Sequence, residues 1–401
     1  MSINEGSRDL SRRLCTVSLT LITFLSFVFL LLQNPPHPIS KLMNNMQSLT
    51  RPAAATDAQR PILHFRFHAP PGYFLPSSST TNASTFDPTT TNFGLISQPY
   101  PSDSTLDITG PTDWERFVHY LRTLNSAVAP GTTHKLLFLS RHGQGYHNLA
   151  ESYYGTPAWN CHYSALPGDP LSDVRWVDAR LSRLGKQQAA AQTTFWRKQL
   201  SVRKTPVPQA WYVSPMERAC HTAQITFEPL NHESAINFKP LIKEKLREEN
   251  GIHTCDQRSP RSAIAARYPN FSIEDGFTEE DRLYDPVYRE THEAHTARVS
   301  TLLDDILSSE PGQAADVLSI VAHGGAINAI LRAVGHREFQ VSVGSAIPVF
   351  IQIEEIAGAR PEYRGPRGAT IPQCIDDPLK AGLPGYSSFK EYVDEVEAAA
   401  Q

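Results

Sequence analysis

The sequence has no excess of positive charge. Its 37 lysine and arginine residues are outnumbered by 41 aspartate and glutamate residues, and the formal net charge is −4. Non-specific binding of nucleic acid depends on basic surface that neutralises phosphates. We therefore expect no nucleic-acid partner, although a local basic pocket is compatible with this total.

Cysteine is scarce, and metal-binding spacings are missing. The five cysteines form no Cys-x-x-Cys pair and stand far apart, at Cys15, Cys161, Cys220, Cys255 and Cys374. This distribution indicates neither a zinc ribbon nor a dense disulfide framework, but it allows one or two disulfides in an exported domain. Four histidines with Cys or His neighbours also fit no zinc pattern: His147, His162, His221 and His253. We expect neither a metal nor another cofactor.

One long apolar segment carries no charge at all. Cys15–Leu32 is long enough to span a bilayer as a helix. Arg8, Arg12 and Arg13 precede it, and the next basic residue is Lys41. Because basic residues flank the cytosolic side of membrane helices, the amino end is expected in the cytosol.

These features predict a cytosolic tail at residues 1–14 and an uncleaved transmembrane signal anchor at residues 15–33. The rest of the chain would then face a lumen or the exterior. Two alternatives stay open: a cleaved signal peptide, which gives a secreted protein, and a buried core helix, which leaves the protein cytoplasmic. The sequons at Asn82 and Asn270 fit a lumenal glycoprotein.

The pattern beyond the anchor is that of an α/β protein. Residues 34–60 lack a hydrophobic period and are typical of a linker. Over residues 61–355, short apolar runs alternate with amphipathic stretches, which is typical of βαβ units. Strands are predicted at 135–140, 210–214, 238–242, 317–322 and 349–353, and helices at 114–124, 184–200, 215–227, 290–308 and 325–334. We expect a doubly wound, mostly parallel sheet with helices on both faces, followed at 356–401 by a tail with a short helix near 388–400.

Four of the predicted strands lead into polar residues with catalytic potential. The motifs are Arg141-His142-Gly143, Ser214-Pro-Met-Glu-Arg218, Leu246-Arg-Glu248 and His323-Gly324-Gly325. In a doubly wound sheet, ligands bind outside the carboxyl ends of the strands. We therefore expect two histidines, two arginines and a carboxylate to converge there.

Such a set suits phosphoryl transfer. The neutral imidazole of His142 can attack phosphorus and hold the phosphoryl group. Arg141 and Arg218 can pair with phosphate oxygens in bidentate fashion. His323, which two glycines and a helix follow, adds a donor beside a helix amino terminus. Glu248 is the candidate acid for the leaving oxygen, and fixed positive groups make a metal unnecessary.

The motifs resemble the histidine phosphatase superfamily, also called the phosphoglycerate mutase-like family. Four elements occur in the family's order, at Leu139–Asn148, Ser214–Ala223, Leu246–Glu248 and His323–Gly325, and Asp178–Gln188 is similar to the family's connecting motif. Three longer stretches resemble the fungal phosphomutase-like branch: Gly143–Asn148, Tyr154–Trp159 and Gly251–Arg258. The resemblance covers roughly residues 65–353.

The resemblance implies a phosphate pocket and a set of roles. His142 would be the nucleophile, His323 a second catalytic histidine and Glu248 the proton donor, with the adjacent Glu249 as the alternative acid. The phosphate would be bound by Arg141, Asn148, Arg218 and Gly324. Substrate specificity would reside in the insertions at Glu151–Asp173 and Asn250–Tyr284.

We therefore predict a metal-independent phosphomonoesterase that acts through phosphohistidine on a small phosphorylated metabolite, with specialised metabolism as one setting. A mutase would use the same pocket but return the phosphoryl group to a product, and would need a bisphosphorylated primer. A non-catalytic module that binds a phosphorylated ligand is the alternative outside enzymes.

Overall fold

The computed structural model describes residues 62–233 and 236–400. The cytosolic tail, the anchor and the linker predicted at residues 1–60 lie outside the described residues. Within those residues, no helix has the length and apolar character needed to cross a membrane.

A seven-stranded sheet forms the centre of the molecule. The strands in chain order are β1 Leu63–His68, β2 Thr132–Arg141, β3 Ala210–Val213, β4 Leu241–Ile242, β5 Ser272–Ile273, β6 Tyr288–Glu290, β7 Val317–Ala322, β8 Ala346–Ala357 and β9 Gly368–Thr370. The order across the sheet is β1-β8-β2-β7-β3-β4-β5, and β6 pairs with β9 in a separate antiparallel ribbon. β2, β7, β3, β4 and β5 are parallel, which confirms a mostly parallel sheet.

Two details of the sheet differ from the prediction. β8 runs antiparallel to both β1 and β2, so the sheet is mixed. An apolar run carries no information on strand direction, and this orientation was therefore not predictable from the pattern. β1 was not predicted, because it is an edge strand in which only Phe65 is fully buried. The run predicted at 238–242 is reduced to the two residues of β4.

Ten α-helices occur in the described part of the chain. They are α1 Asp113–Ala127, α2 Tyr146–Tyr154, α3 Thr156–Cys161, α4 Arg183–Lys198, α5 Glu217–Glu233, α6 Arg261–Arg267, α7 His292–Ser308, α8 Glu310–Ala314, α9 Gly324–Ala333 and α10 Phe389–Ala399. The first predicted helix begins at a capping box between Thr112 and Glu115. The helix predicted from residue 290 begins at His292, because Glu290 belongs to β6.

Helices cover both faces of the sheet, as the alternation within β2 shows. Leu136 and Phe138 belong to a core with buried residues of α1, α4 and α5. Leu137 and Leu139 point to the opposite face and join a second core, built with α7 and α9. Successive side chains of a strand alternate between faces, so this one buried strand supplies both cores.

The C-terminal segment, which the sequence places outside the catalytic domain, packs against the body of the protein. Helix α10 buries Phe389 and Val393 in a third core that includes Trp176. A disulfide joins Cys161, at the end of α3, to Cys374, with a Cα–Cα distance of 5.1 Å. The segment after residue 355 therefore contributes to the walls around the candidate site.

Candidate active site

The ends of three parallel strands bring the predicted residues together. The His142 N–H donates to the Ala322 carbonyl at 3.0 Å, at the points where β2 and β7 end. One strand further, the Ser214 N–H donates to the Val321 carbonyl at 3.0 Å. These backbone bonds place the starts of the motifs after β2, β3 and β7 next to one another. The motifs therefore meet at the carboxyl ends of the parallel strands, as expected.

His142 lies at the centre of the site in one defined tautomer. Its Nδ1 lies 2.7 Å from the Gly143 carbonyl, which can only accept, so the ring proton is on Nδ1. Its Nε2 accepts from the Arg218 Nε–H at 3.3 Å. Burial and the nearby guanidiniums of Arg218 and Arg141 hold the pKa of His142 well below its ordinary value. Nε2 thus carries a lone pair, as a nucleophile requires.

Arg218 is held in place by a buried carboxylate. Its Nη2 donates to Asp256 Oδ1 at 2.8 Å, and its Nη1 donates to the Cys255 carbonyl at 2.7 Å. The second oxygen of Asp256 accepts from Arg289 Nη1 at 3.1 Å. The two guanidiniums hold the pKa of Asp256 below its ordinary value against the effect of burial. One carboxylate therefore orients two arginines.

Arg141 and His323 lie on either side of the turn that starts α9. Arg141 donates from Nη1 to the Val341 carbonyl at 2.9 Å and borders the cavity. The guanidinium of Arg141 packs closely against Gly324, since a Cβ at position 324 would lie 3.2 Å from Arg141 Cζ. His323 is fully buried, with its ring centroid 5.1 Å from that of His142 and its Nε2 2.7 Å from Ser214 Oγ. His323 and Gly324 lie behind the cavity wall, whereas Gly325 lines it.

Glu248 is placed at the amino terminus of α9 by a glycine. Its Oε2 accepts from the Gly325 N–H at 2.9 Å, and its Oε1 accepts from the Glu249 N–H at 3.1 Å. A Cβ on Gly325 would lie only 2.1 Å from Glu248 Oε1. The adjacent glycines therefore bring Glu248 and Arg141 side by side at the cavity.

Glu249, the alternative acid, faces a different group of residues. It forms ion pairs with His292 at 3.0 Å and with Arg289 at 3.5 Å. Burial, opposed by Arg289 and assisted by Glu248, raises the pKa of Glu249. The backbone therefore separates the two glutamates: Glu248 lies beside Arg141, and Glu249 lies beside Arg289.

Two local contacts shape the loop after His142. Asn148 Oδ1 accepts from the Gly145 N–H at 3.0 Å, so Asn148 caps α2 as well as lining the cavity. The connecting motif supplies Gly185, whose own Cβ would lie 2.1 Å from the Gln144 carbonyl oxygen. It also supplies Asp178, which accepts from the Glu217 N–H at 2.8 Å and so caps the helix that carries Arg218.

The site opens into a cavity of about 740 Å³. The two predicted specificity insertions both reach it: the first supplies Trp159 and Asn160, and the second supplies Ile252, His253, Cys255 and Asp256. Thr370 and Pro372 complete the wall from the C-terminal segment. The cavity exceeds the volume of a phosphate group several-fold, so it has room for an organic leaving group.

One cluster in this wall has the residue types of a metal site. The possible ligand atoms of His253, Cys255 and Asp256 lie within 4.8 Å of one another. Both oxygens of Asp256 are engaged by guanidiniums, which repel a cation. Burial also raises the pKa of the Cys255 thiol well above its ordinary value, which disfavours the thiolate that binds metals. This cluster does not suit a cation.

Sequence reasoning missed several residues of the cavity. Arg289 carries no motif signal, and its pairing with Asp256 joins positions 33 residues apart. His147 was considered only as a metal ligand, yet it lines the cavity beside His142. The family-like stretch Gly251–Arg258 was the signal that could have pointed to Asp256.

Comparison with known proteins gives consistent matches. The profile of the "Histidine phosphatase superfamily (branch 1)" matches residues 172–341, a range that includes Arg218, Glu248 and His323 and begins after the Arg141–Gly143 motif. A "Probable phosphoglycerate mutase" of Arthroderma benhamiae is 44% identical over 285 residues, which cover 71% of this chain and 83% of the relative. "Phosphomutase-like protein 3" of Candida albicans is 35% identical over 70% of this chain and 78% of its own length.

Proposed function

The chain belongs to the histidine phosphatase superfamily, and from this premise we propose that it is a metal-independent phosphomonoesterase acting through a phosphohistidine. The observation that carries the proposal is the tautomer of His142. Its Nδ1–H donates to the Gly143 carbonyl, and its Nε2 accepts from the Arg218 Nε–H. A neutral imidazole whose unprotonated Nε2 lies beside a phosphate-binding guanidinium suits attack on phosphorus.

In the first step, the guanidiniums of Arg141 and Arg218 hold the phosphoryl oxygens. His142 Nε2 forms a bond to phosphorus while the bond from phosphorus to the ester oxygen breaks. Protonated Glu248 gives its proton to that oxygen, and the alcohol leaves. The charge that develops on the phosphoryl oxygens is stabilised by fixed positive groups.

In the second step, water replaces the alcohol. The Glu248 carboxylate takes a proton from the water as its oxygen attacks phosphorus, the bond to His142 Nε2 breaks, and inorganic phosphate is released. Glu248 then carries the proton needed for the next turnover. Each residue returns to its starting state, so the cycle needs no bisphosphorylated primer.

The charge of the cavity wall supports hydrolysis over mutase activity. The wall has three arginines and five carboxylates: Arg141, Arg218, Arg289, Glu151, Glu248, Glu249, Asp256 and Glu290. A bisphosphorylated primer needs cations for a second phosphate away from His142. Arg289 is the arginine on that side, and it is paired with Asp256 and Glu249. The relatives named "Probable phosphoglycerate mutase" and "Phosphomutase-like protein 3" favour the mutase, which therefore stays the second candidate.

We further propose that the catalytic body faces a lumen or the exterior, with the predicted anchor at residues 15–33 holding it to the membrane. The disulfide between Cys161 and Cys374 supports an oxidising compartment. The sequon residues Asn82 and Asn270 are both exposed and so are accessible to glycosylation.

Purified protein should be screened against phosphorylated metabolites, with products separated by chromatography in the presence and absence of a bisphosphorylated primer. We expect release of inorganic phosphate without primer, unchanged by EDTA. Product isomerisation that requires the primer would instead establish the mutase, and loss of activity restored by Mg²⁺ would contradict metal independence.

Variants at two residues test the mechanism. His142→Ala should lower turnover by roughly 10³-fold or more and abolish the acid-labile phosphoenzyme. Glu248→Gln should lower it by roughly 10²- to 10⁴-fold, with a smaller loss for nitrophenyl phosphate, whose leaving group needs no proton. A phosphoenzyme that persists in His142→Ala would place the nucleophile elsewhere. Equal losses for good and poor leaving groups in Glu248→Gln would move the acid role to another residue, with Glu249 the first to test.

A further inference from the structure

We propose that His147 is a third imidazole of the phosphoryl site, donating a hydrogen bond to a phosphoryl oxygen during transfer to and from His142. The inference rests on the proposed function and adds a phosphoryl-binding residue to it. His147 lies within the family-like element Leu139–Asn148, but the resemblance gives roles there to Arg141, His142 and Asn148 and none to His147.

The position of His147 relative to the nucleophile is the first argument. The ring centroids of His142 and His147 are 5.4 Å apart, close to the 5.1 Å between His142 and His323. The nucleophile is therefore flanked by two imidazoles at similar distances. Of these two, His147 lines the cavity, whereas His323 is fully buried. A phosphoryl group that approaches from the cavity meets His147.

The polar atoms of His147 are the second argument. Only 9% of the residue is exposed, and its Nδ1 is buried without a hydrogen-bond partner among the described residues. A buried polar atom without a partner costs free energy, typically about 1–3 kcal/mol. Nδ1 lies against Gly145, so Nε2, which forms no hydrogen bond within the described residues and is not among the buried atoms, is the nitrogen that can donate to a substrate oxygen.

The backbone leaves space for the ring at this place, which is the third argument. A Cβ on Gly145 would lie 2.7 Å from His147 Nδ1 and 2.9 Å from its Cε1. Any side chain at position 145 would therefore displace the imidazole. Because Gly145 is also the N-cap of α2, the ring is held at the start of a helix that Asn148 fixes.

The chemistry of the surroundings agrees with a neutral donor. Burial, Arg218 and His142 hold the pKa of His147 well below its ordinary value. A neutral imidazole has one N–H to donate, and a transferring phosphoryl group has three equatorial oxygens for the surrounding donors to share. His147 therefore supplements the two arginines without adding a fixed charge.

Two substitutions separate donation from packing. His147→Gln keeps an amide N–H near the position of Nε2, and His147→Leu keeps bulk without any donor. His134 is the matched control: it is also buried with an unpartnered Nδ1, but it lies seven residues before Arg141 in β2, at the far end of the strand. His134→Leu removes a buried imidazole at a distance from the site.

The full chain, purified in detergent, should be assayed for kcat, KM, inhibition by orthovanadate and the vanadate-induced shift in Tm. We expect His147→Leu to lower kcat and weaken vanadate inhibition by about 10²-fold, the usual effect of losing one donor to a transition-state oxygen. His147→Gln should stay within a few-fold of wild type, and His134→Leu should change Tm but not vanadate inhibition.

Two results overturn the assignment: unchanged vanadate inhibition in His147→Leu, or equal losses in the Leu and Gln variants. If wild type turns over no phosphomonoester, the proposed function fails, but the Tm shift still decides the role of His147. In that case an equal vanadate shift in wild type and His147→Leu, or no shift in either, overturns the assignment.

Discussion

Replacing Gly325 with alanine should separate activity from stability. Gly325 is the second residue of α9, and its φ is not positive, so alanine fits its backbone. The added Cβ would lie 2.1 Å from Glu248 Oε1 and 3.0 Å from Glu248 Cδ, whereas ordinary contact begins at 3.4 Å. The flexible carboxyl group must therefore move by more than 1 Å.

The Gly325→Ala substitution should affect stability and reaction rate differently, in both size and sign. Alanine is favoured over glycine within a helix by about 0.5–1 kcal/mol, so Tm should not fall. A misplacement of about 1 Å in a catalytic group costs roughly 10²-fold in rate, or about 2.7 kcal/mol in the barrier. Because the displaced group is the proposed acid, the loss should be largest for alkyl phosphates and small for nitrophenyl phosphate.

Gly335, just beyond the other end of α9, provides the opposite case. It has a φ of +71° and open space around its position, so alanine there meets strain but no contact. Gly335→Ala should lower Tm, since a left-handed backbone costs an L-residue about 1–2 kcal/mol, and kcat should not change. Thermal unfolding and kcat with both substrate types give the test. The reasoning is refuted if Gly325→Ala hydrolyses alkyl phosphates at the wild-type rate, or if its loss is the same for both leaving groups.

Three further changes test other parts of the structure. Asp256→Asn should weaken vanadate inhibition and lower Tm, because it removes the charge that pairs with the guanidiniums of Arg218 and Arg289. Unchanged inhibition would show that the carboxylate does not orient them. Cys161→Ser should lower the free energy of unfolding by about 2–4 kcal/mol in urea titrations, and wild type that is equally stable with and without reductant would contradict the disulfide. In cells, the chain should stay in the membrane fraction after carbonate extraction. Glycosidase treatment should increase its electrophoretic mobility, and this change should be lost in the Asn82→Gln, Asn270→Gln double variant. A chain that is extracted and never glycosylated would refute the anchored, lumenal placement.

The sequence predicted those site residues that directly follow buried strands. Arg141 is the last residue of β2, His142 follows it, and His323 follows β7, so the apolar runs of these strands located all three residues. Glu248 was identified from its motif. Its contact with Gly325, however, depends on how a loop returns to a helix terminus, which no local pattern encodes.

Other features depend on tertiary pairing and could not be predicted. Cys161 and Cys374 are separated by 213 residues, and spacing alone does not give the connectivity of a disulfide. The direction of β8 depends on the connection that precedes it, and the hydrophobic pattern of a strand does not reveal its direction. The edge strand β1 pairs with β8 and is only partly buried, so its apolar signal is weak.

The shared carboxylate of Asp256 makes the two ends of the cavity interdependent. One of its oxygens holds the arginine beside His142, and the other holds Arg289, which borders the region left for the leaving group. A substrate that draws Arg289 away would strengthen the hold of Asp256 on Arg218 and change how tightly the phosphate is bound. Under the proposed function, selectivity for the leaving group therefore cannot evolve, or be engineered, at Arg289 alone, because each change there also alters the position of Arg218.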